Sequence, residues 1–351
     1  MSGRDNYLDT IRGIAAISII IIHTAFWSGA TYGVPDWMQT LTLAIDVGLF
    51  FFLAGWSISF KEKSPWNIFQ SIIEIMKKWI FFIVFVAIIS FKTTDLKSLL
   101  SSFCFNVSIP QFPVIAGSIW FLPVYICVTF INSIIIYIIN THSVTLESKI
   151  KNYCRYLIIL LFLLLFDAQG TVLFPQIDSQ WLFYSVPYLF GLIYGKTRFH
   201  FNVRQFVIGI LLIAFAMKLN SSLLNLPINP MQNNKFPPNL TYLFYTYIGI
   251  LCTIYFSNFF SGMKHNIFSH IGKKALWFYF SQGIGSSILF PLSVHININL
   301  WYLKFPVMAA INITITFICA EFLSSAYILI CHYLSIFYNF LYNKALFYLA
   351  S

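Results

Sequence analysis

Apolar runs of about twenty residues recur along the whole sequence, and they restrict the possible folds more than any other feature. A run of that length crosses a bilayer as a helix, because a helix rises about 1.5 Å per residue and the hydrocarbon core is about 30 Å thick. In agreement, 59% of the residues are hydrophobic, 9% are charged, and the mean hydropathy is +0.78. The runs do not alternate in polarity, which disfavours a membrane β-barrel. We predict an all-α integral membrane protein with a single polytopic domain over residues 1–351.

The basic residues predict the orientation of these helices. We divide the chain into about ten transmembrane helices, with the amino and carboxyl termini both cytoplasmic. With that division, 16 of the 21 Lys and Arg residues lie on cytoplasmic segments and 5 on outer ones, as the positive-inside rule requires. This bias accounts for the net charge of +10 without a nucleic-acid partner. The predicted spans are about 9–28, 40–60, 70–91, 115–139, 153–167, 181–195, 203–219, 240–260, 275–293 and 305–332.

The first span carries three side chains that are costly in lipid: Asp9, Arg12 and His23. Asp9 and Arg12 are three residues apart, so they are neighbours on a helix. His23 follows Arg12 by eleven residues, which places it within about 20° of the same face and about 16 Å further along. Such residues usually face a bundle interior or a wet cavity, and we predict a functional site along this stripe. The alternatives are a hydrogen-bonded packing role for His23 and a helix-dipole role for Asp9.

Several other polar residues are candidates for function, although the membrane alone can explain them. Lys77 and Lys78 enter the third span, where snorkelling would anchor them. Lys273 suits phosphate contact, but positive-inside topology also places it, and Trp120 fits an interfacial aromatic belt. Glu321 is the deeply placed acid of the tenth span, and we expect it to be paired or to face a cavity.

The connections and cysteines give weaker indications. The outer connection 220–239 is rich in Pro and Asn and cannot form regular helix; both a lid over an outward cavity and a plain connector fit it. The six cysteines are scattered without metal-ligand spacing, so we predict no metal site. The first apolar run has no small-residue cleavage site after it, and we expect no cleaved signal peptide.

Four short motifs occur in order along the chain. They are L-D-x-x-R-G followed by His23, then LFFFLAGWSI at 49–58, SIWFLPVY at 118–125 and IGKKALWFYFSQ at 271–282. Together they resemble the membrane-bound acyltransferase 3 family, whose members include bacterial O-antigen, capsule and peptidoglycan O-acetyltransferases. The segment KFPPNLTYLFYTY at 235–247 is also similar to one found in some polysaccharide-modifying members.

The resemblance implies an O-acyltransferase of the bacterial cytoplasmic membrane. It would move an acetyl group from cytoplasmic acetyl-CoA to a hydroxyl of a cell-surface or lipid-linked polysaccharide, with membrane lipids as its other partners. His23 matches the family's essential histidine, as general base or transient acyl carrier, while Arg12 and Asp9 match its arginine and the preceding acid. We expect coenzyme A to be bound by Arg12, Lys77, Lys78, Lys273 and Trp120.

The sequence departs from the family's motifs at three positions. The Arg-x-x-Arg that often starts the third span is Glu74-x-x-Lys77, so the bidentate arginine geometry is absent there. The Ser before Gly in the second-span motif is Ala54, and the His that often ends the ninth-span motif is Gln282, which we give no proton-transfer role. A transporter or flippase for a lipid-linked sugar is the alternative function. The lack of a fixed-period repeat in the sequence weakens that alternative.

Overall fold

The computed structural model of the chain describes residues 5–60, 64–91, 95–168, 180–225, 227–260 and 263–350. The described residues form α-helices with short π-helical and 3₁₀ turns and contain no β-strand, which confirms the predicted all-α fold. The helices are α1 Asn6–His23, α2 Asp36–Thr42, α3 Val47–Ile58, α4 Pro65–Ile89, α5 Leu96–Phe103, α6 Pro113–Ser118, α7 Phe121–His142, α8 Leu146–Ala168, α9 Gln180–Thr197, α10 Val203–Leu224, α11 Leu240–Ser257, α12 Ile267–Lys273, α13 Ala275–His295 and α14 Trp301–Ala350.

Within the described part of the chain, six helical segments are long and apolar enough to cross a membrane. They support a multi-pass membrane protein. Helices α4, α8, α9 and α13 also fall on predicted spans, but the count of ten and the cytoplasmic placement of both termini stay predictions. The six segments are Asn6–Thr31, Asp36–Ile58, Pro113–His142, Val203–Leu223, Leu240–Ser257 and Trp301–Asn339.

The predicted span at about 40–60 is divided into two helices. Residues 43–46 leave the helical conformation between α2 and α3. Asp46 has extended backbone angles, with φ −123° and ψ −165°, and occupies the position just before the first turn of α3. Because the helix is interrupted here, the buried Asp46 carboxylate can make contacts that a continuous helix would not allow.

Two glycines of the sequence motifs allow one pair of helices, α1 and α12, to approach closely. A Cβ atom on Gly13 of α1 would lie 1.9 Å from the carbonyl oxygen of Phe268 in α12, and one on Gly272 would lie 1.8 Å from that of Asp9. These distances are far below van der Waals contact, so only glycine fits at both positions. The R-G and I-G-K-K motifs thus hold α12 against the start of α1.

Helix α10 has the exposure expected of a helix that faces lipid. Its apolar side chains point outward, with Leu211, Leu212 and Phe215 each more than 60% exposed. Apolar exposure on this scale is unusual on a protein surface in water. The buried core lies elsewhere, around α1, α3, α7, α9, α11 and α13.

Candidate active site

Helix α1 places Asp9 and Arg12 together at one end of the helix bundle. Arg12 Nη1 lies 3.1 Å from Asp9 Oδ1, and Arg12 Nη2 donates to the hydroxyl of Ser57 in α3. The Asp9 side chain is 1% exposed, whereas that of Arg12 is 27% exposed. A buried carboxylate therefore orients a guanidinium group that remains accessible.

Arg12 lines a cavity of about 380 Å³ between α1, α3, α4, α7, α9 and α13. Among the described residues that line it, Arg12 is the one with a charge, and most of the wall is apolar or aromatic. This size and lining are typical of sites for small organic ligands. The other lining residues are Phe50, Leu53, Ala54, Ser57, Ile58, Ser71, Ile72, Ile75, Phe121, Leu122, Tyr125, Thr129, Tyr188, Ala275, Leu276 and Tyr279.

His23 is the last residue of α1, and the chain continues into a π-helical turn at Thr24–Ser28. Such turns are frequent at functional sites. The turn is held from α14, since Asn312 Nδ2 donates to Thr24 Oγ1 over 2.9 Å. His23 Nδ1 is buried and has no hydrogen-bond partner among the described residues. Asp46 and Lys235 are close enough to act on His23 electrostatically.

Asp46 and Lys235 form an ion pair at this end of α1. Lys235 Nζ lies 2.7 Å from Asp46 Oδ2, and the two side chains are 7% and 0% exposed. The Tyr242 hydroxyl of α11 donates to the same carboxylate oxygen over 2.6 Å. The Lys235 ammonium also lies 5.6 Å from the ring centroid of Trp120 and 5.4 Å from that of Phe236, which are cation–π distances.

The loop that carries Lys235 is docked on the bundle through Thr40 of α2. Thr40 Oγ1 donates to Asn229 Oδ1 over 2.6 Å and accepts from the backbone N–H of Met231 over 3.1 Å. The Tyr245 hydroxyl of α11 donates to the Thr40 carbonyl over 2.7 Å. The connection predicted over 220–239 is therefore fastened across this end of the bundle, and it delivers a lysine to a buried carboxylate.

Residues 5–321 match the sequence model of the acyltransferase domain that defines the acyltransferase 3 family. This match covers well over half of the chain. The chain belongs to the acyltransferase 3 family. Membership confirms the resemblance carried by the motifs and indicates a membrane acyltransferase. No curated protein and no solved structure matches the chain.

In this acyltransferase 3 protein the predicted stripe is divided between two places. Arg12 lines the cavity and is paired with Asp9, whereas His23 is not among the described residues that line it. The eleven-residue step from Arg12 to His23 corresponds to about 16 Å of helix. His23 instead shares the opposite end of α1 with Asp46 and Lys235.

The three predicted lysines do not line the cavity. Lys77 is 57% exposed and pairs with Glu74 of its own helix, Nζ to Oε1 over 2.6 Å. Lys78 is half-buried on the next position of α4, and Lys273 is exposed at the end of α12. Their part in coenzyme A binding stays a prediction.

Trp120 and Glu321 are two further residues that the sequence analysis singled out, and each has partners in the structure. Trp120 contacts Lys235 at the His23 end and is not among the described residues that line the cavity; its part in coenzyme A binding stays a prediction. Glu321 of α14 accepts from Lys274 Nζ over 2.6 Å and lies 2.7 Å from His270 Nε2. The expectation that Glu321 is paired is confirmed, and its carboxylate joins α14 to α12 and to Lys274, which lies between α12 and α13.

Asp46, Lys235 and Tyr242 are site residues that the sequence did not single out. Asp46 precedes an apolar run and resembles an ordinary helix-starting acid, and Lys235 lies in a loop with no periodic pattern. The one available signal was the KFPPNLTYLFYTY segment at 235–247, which contains both Lys235 and Tyr242.

Gln282, at the position where the family often has His, is fully buried, and both polar atoms of its amide are without hydrogen-bond partners among the described residues.

Proposed function

We propose that this protein transfers an acetyl group from cytoplasmic acetyl-CoA to a hydroxyl of a cell-surface or lipid-linked polysaccharide, in the bacterial cytoplasmic membrane. One observation carries the proposal: an acyltransferase 3 chain has an arginine-lined apolar cavity at one end of α1, and at the other a histidine within electrostatic range of a buried ion pair. A membrane transacylase needs a donor side and an acceptor side, and the two ends of α1 are our candidates for them.

The donor side is the cavity at Arg12. A guanidinium group binds phosphate oxygens through several parallel hydrogen bonds, and Asp9 and Ser57 hold the Arg12 group in place. The adenosine and pyrophosphate part of acetyl-CoA would lie toward Arg12, with Lys77, Lys78 and Lys273 adding positive charge nearby. The apolar cavity then suits the long, uncharged pantetheine arm.

The chemistry is assigned to His23. Imidazole is suited to proton transfer near neutral pH, and this group lies within electrostatic range of a carboxylate and an ammonium group. His23 either takes the proton of the attacking hydroxyl, or accepts the acetyl group on its ring nitrogen and passes it on. Both routes place His23 at the acyl carbon.

The test is transfer of label from radiolabelled acetyl-CoA in membrane vesicles that contain the purified protein and a lipid-linked glycan extract. We compare wild type with His23→Ala, Arg12→Ala and His295→Ala, the last being an exposed histidine at the end of α13. Label should reach the glycan with wild type and His295→Ala, and should be lost with His23→Ala and Arg12→Ala. Undiminished transfer by His23→Ala would refute the assigned role.

The same assay separates the enzyme from a flippase for a lipid-linked sugar. A flippase leaves the glycan covalently unchanged and does not consume acetyl-CoA. Wild-type vesicles that move a fluorescent lipid-linked sugar, with no release of coenzyme A, would replace the acyltransferase proposal.

A further inference from the structure

Asp46 lies where a helix-capping carboxylate is expected, yet it does not cap α3. Its side chain accepts no hydrogen bond from the first turn of the helix. The carboxylate turns instead to Lys235 and Tyr242, and both of these partners bind one oxygen, Oδ2. Aspartate at this position normally stabilises a helix by about 1 kcal/mol through its cap. Asp46 forgoes that contribution, which indicates that its position serves another purpose.

Two buried polar atoms at this end of α1 have no hydrogen-bond partner in the described part of the chain. Asp46 Oδ1 and His23 Nδ1 are both buried, and neither has a hydrogen-bond partner among the described residues. A buried polar atom without a partner costs about 1–3 kcal/mol, so native proteins seldom leave one without a ligand or water. A carboxylate oxygen and an imidazole nitrogen both accept hydrogen bonds, and a ligand with two hydroxyl donors satisfies both.

The surroundings of these two atoms are electrically balanced and aromatic. The Lys235 ammonium already neutralises the Asp46 carboxylate at 2.7 Å. Trp120 and Phe236 flank that ammonium and are themselves partly exposed, so their rings are available to a ligand. An anionic ligand would bring a second negative charge next to a buried carboxylate, which is unfavourable.

We propose that Asp46 and His23 form the acceptor subsite, and that it takes an uncharged sugar ring with two neighbouring hydroxyls. One hydroxyl donates to Asp46 Oδ1, and its neighbour, the reacting group, donates to His23. The apolar face of the ring packs on Trp120 and Phe236. Lys235 and Tyr242 are positioning residues, because they hold the Asp46 carboxylate through Oδ2 and leave Oδ1 for the acceptor. This inference rests on the proposed acyl transfer and extends it to the class of acceptor.

In the direct route of transfer, Asp46 and His23 would act together on the acceptor. The oxygen of the reacting hydroxyl forms a bond to the acyl carbon as the carbon–sulfur bond of the thioester breaks. His23 takes the hydroxyl proton and returns it to the thiolate, which leaves as coenzyme A. Asp46 fixes the neighbouring hydroxyl, and through it the position of the attacking oxygen.

The first test uses simple acceptors in vesicles that contain the purified protein and acetyl-CoA. The probes are methyl glycosides of glucose, galactose and rhamnose, their monodeoxy analogues, and methyl glucuronoside as the anionic counterpart. We expect acetylation of at least one neutral glycoside, loss of transfer when the hydroxyl next to the reacting one is removed, and no transfer to the glucuronoside. Equal use of the glucuronoside would overturn the inference.

The second test assigns the subsite to Asp46. Asp46→Asn should lower kcat/KM for the neutral glycoside on the order of 10- to 100-fold, the value of a hydrogen bond to a charged group, while KM for acetyl-CoA is unchanged. Asp46→Asn leaves Lys235 buried and without its partner carboxylate. The glycoside kinetics of the double variant, Asp46→Asn with Lys235→Met, are therefore measured as well. Unchanged glycoside kinetics in the folded double variant would overturn the assignment.

A matched control distinguishes the subsite from any buried lysine. Lys304 of α14 is 7% exposed, donates to the Ile296 carbonyl over 2.8 Å and lies over the Tyr32 ring. Lys304→Met should leave glycoside kinetics as in wild type.

Transfer of label to the extracted glycan without use of any glycoside would refute the inference and leave the proposed function standing. No consumption of acetyl-CoA at all would refute the proposed function itself, and the inference with it.

Discussion

Removal of Lys235 tests whether the ion pair with Asp46 is as buried as the structure indicates. Lys235→Met removes the ammonium and leaves a carboxylate that is 0% exposed, with the Tyr242 hydroxyl as its one described donor. Breaking a buried pair from one side costs about 3–5 kcal/mol, because the remaining charge is neither solvated nor paired. We expect that loss in the free energy of unfolding for Lys235→Met, and a similar one for Asp46→Asn.

The double variant supplies the sharper result. With Asp46→Asn and Lys235→Met together no buried charge is left over, and uncharged replacements of similar volume are often tolerated. The double variant should therefore be more stable than either single variant. The interaction energy of the cycle should be about 2 kcal/mol or more, within the range for residues in direct contact.

The measurement is reversible unfolding in mixed micelles with increasing SDS, followed by circular dichroism. Wild type, both single variants and the double variant are compared, with Lys304→Met as a second buried lysine. If the two single losses simply add, with an interaction energy below about 0.5 kcal/mol, the pair is solvated in the folded protein and the reasoning fails.

Three further substitutions, one of them with a matched glycine control, test other contacts. Gly13→Ala should lower the free energy of unfolding by about 3 kcal/mol, because the new Cβ would strike the backbone of α12. The control, Gly209→Ala, meets a single leucine methyl group and should change that free energy by less than about 1 kcal/mol. The two variants are compared by their folded yield in size-exclusion chromatography. Glu321→Gln should cost about 1 kcal/mol or less, since its ion pairs are partly exposed, and should keep acetyl-CoA turnover. Asn312→Leu removes three buried hydrogen bonds, two donated to Thr24 and Ser286 and one accepted from Thr316. It should lower the free energy of unfolding by about 2–3 kcal/mol in the same micelle titration.

The motif residues divide into those that build the bundle and those that present chemistry. Gly13 and Gly272 serve close helix approach, so their places in R-G and I-G-K-K follow from packing. Arg12 lies beside Gly13 in sequence but faces the cavity. A short motif can therefore carry a packing role and a binding role on adjacent residues, because adjacent side chains of a helix point about 100° apart.

Local chemistry was enough to predict several features. The apolar runs require helices, since a bilayer offers no hydrogen-bond partner for a free backbone, and the described residues contain long helices and no β-strand. The three-residue spacing of Asp9 and Arg12 placed them in contact, and they form an ion pair. The ordered motifs predicted the family, which the match over residues 5–321 confirms.

Tertiary structure alone decided which charges meet at His23. Asp46 and Lys235 are 189 residues apart, and no periodicity links a helix-starting acid to a lysine in a Pro- and Asn-rich loop. The pair depends on the break between α2 and α3 and on the docking of the loop at Thr40. Hydropathy and residue spacing predict which face of a segment avoids water, but they do not predict which distant segment packs against that face. That choice is made by packing, and here it brings an ion pair to the end of α1 that carries His23.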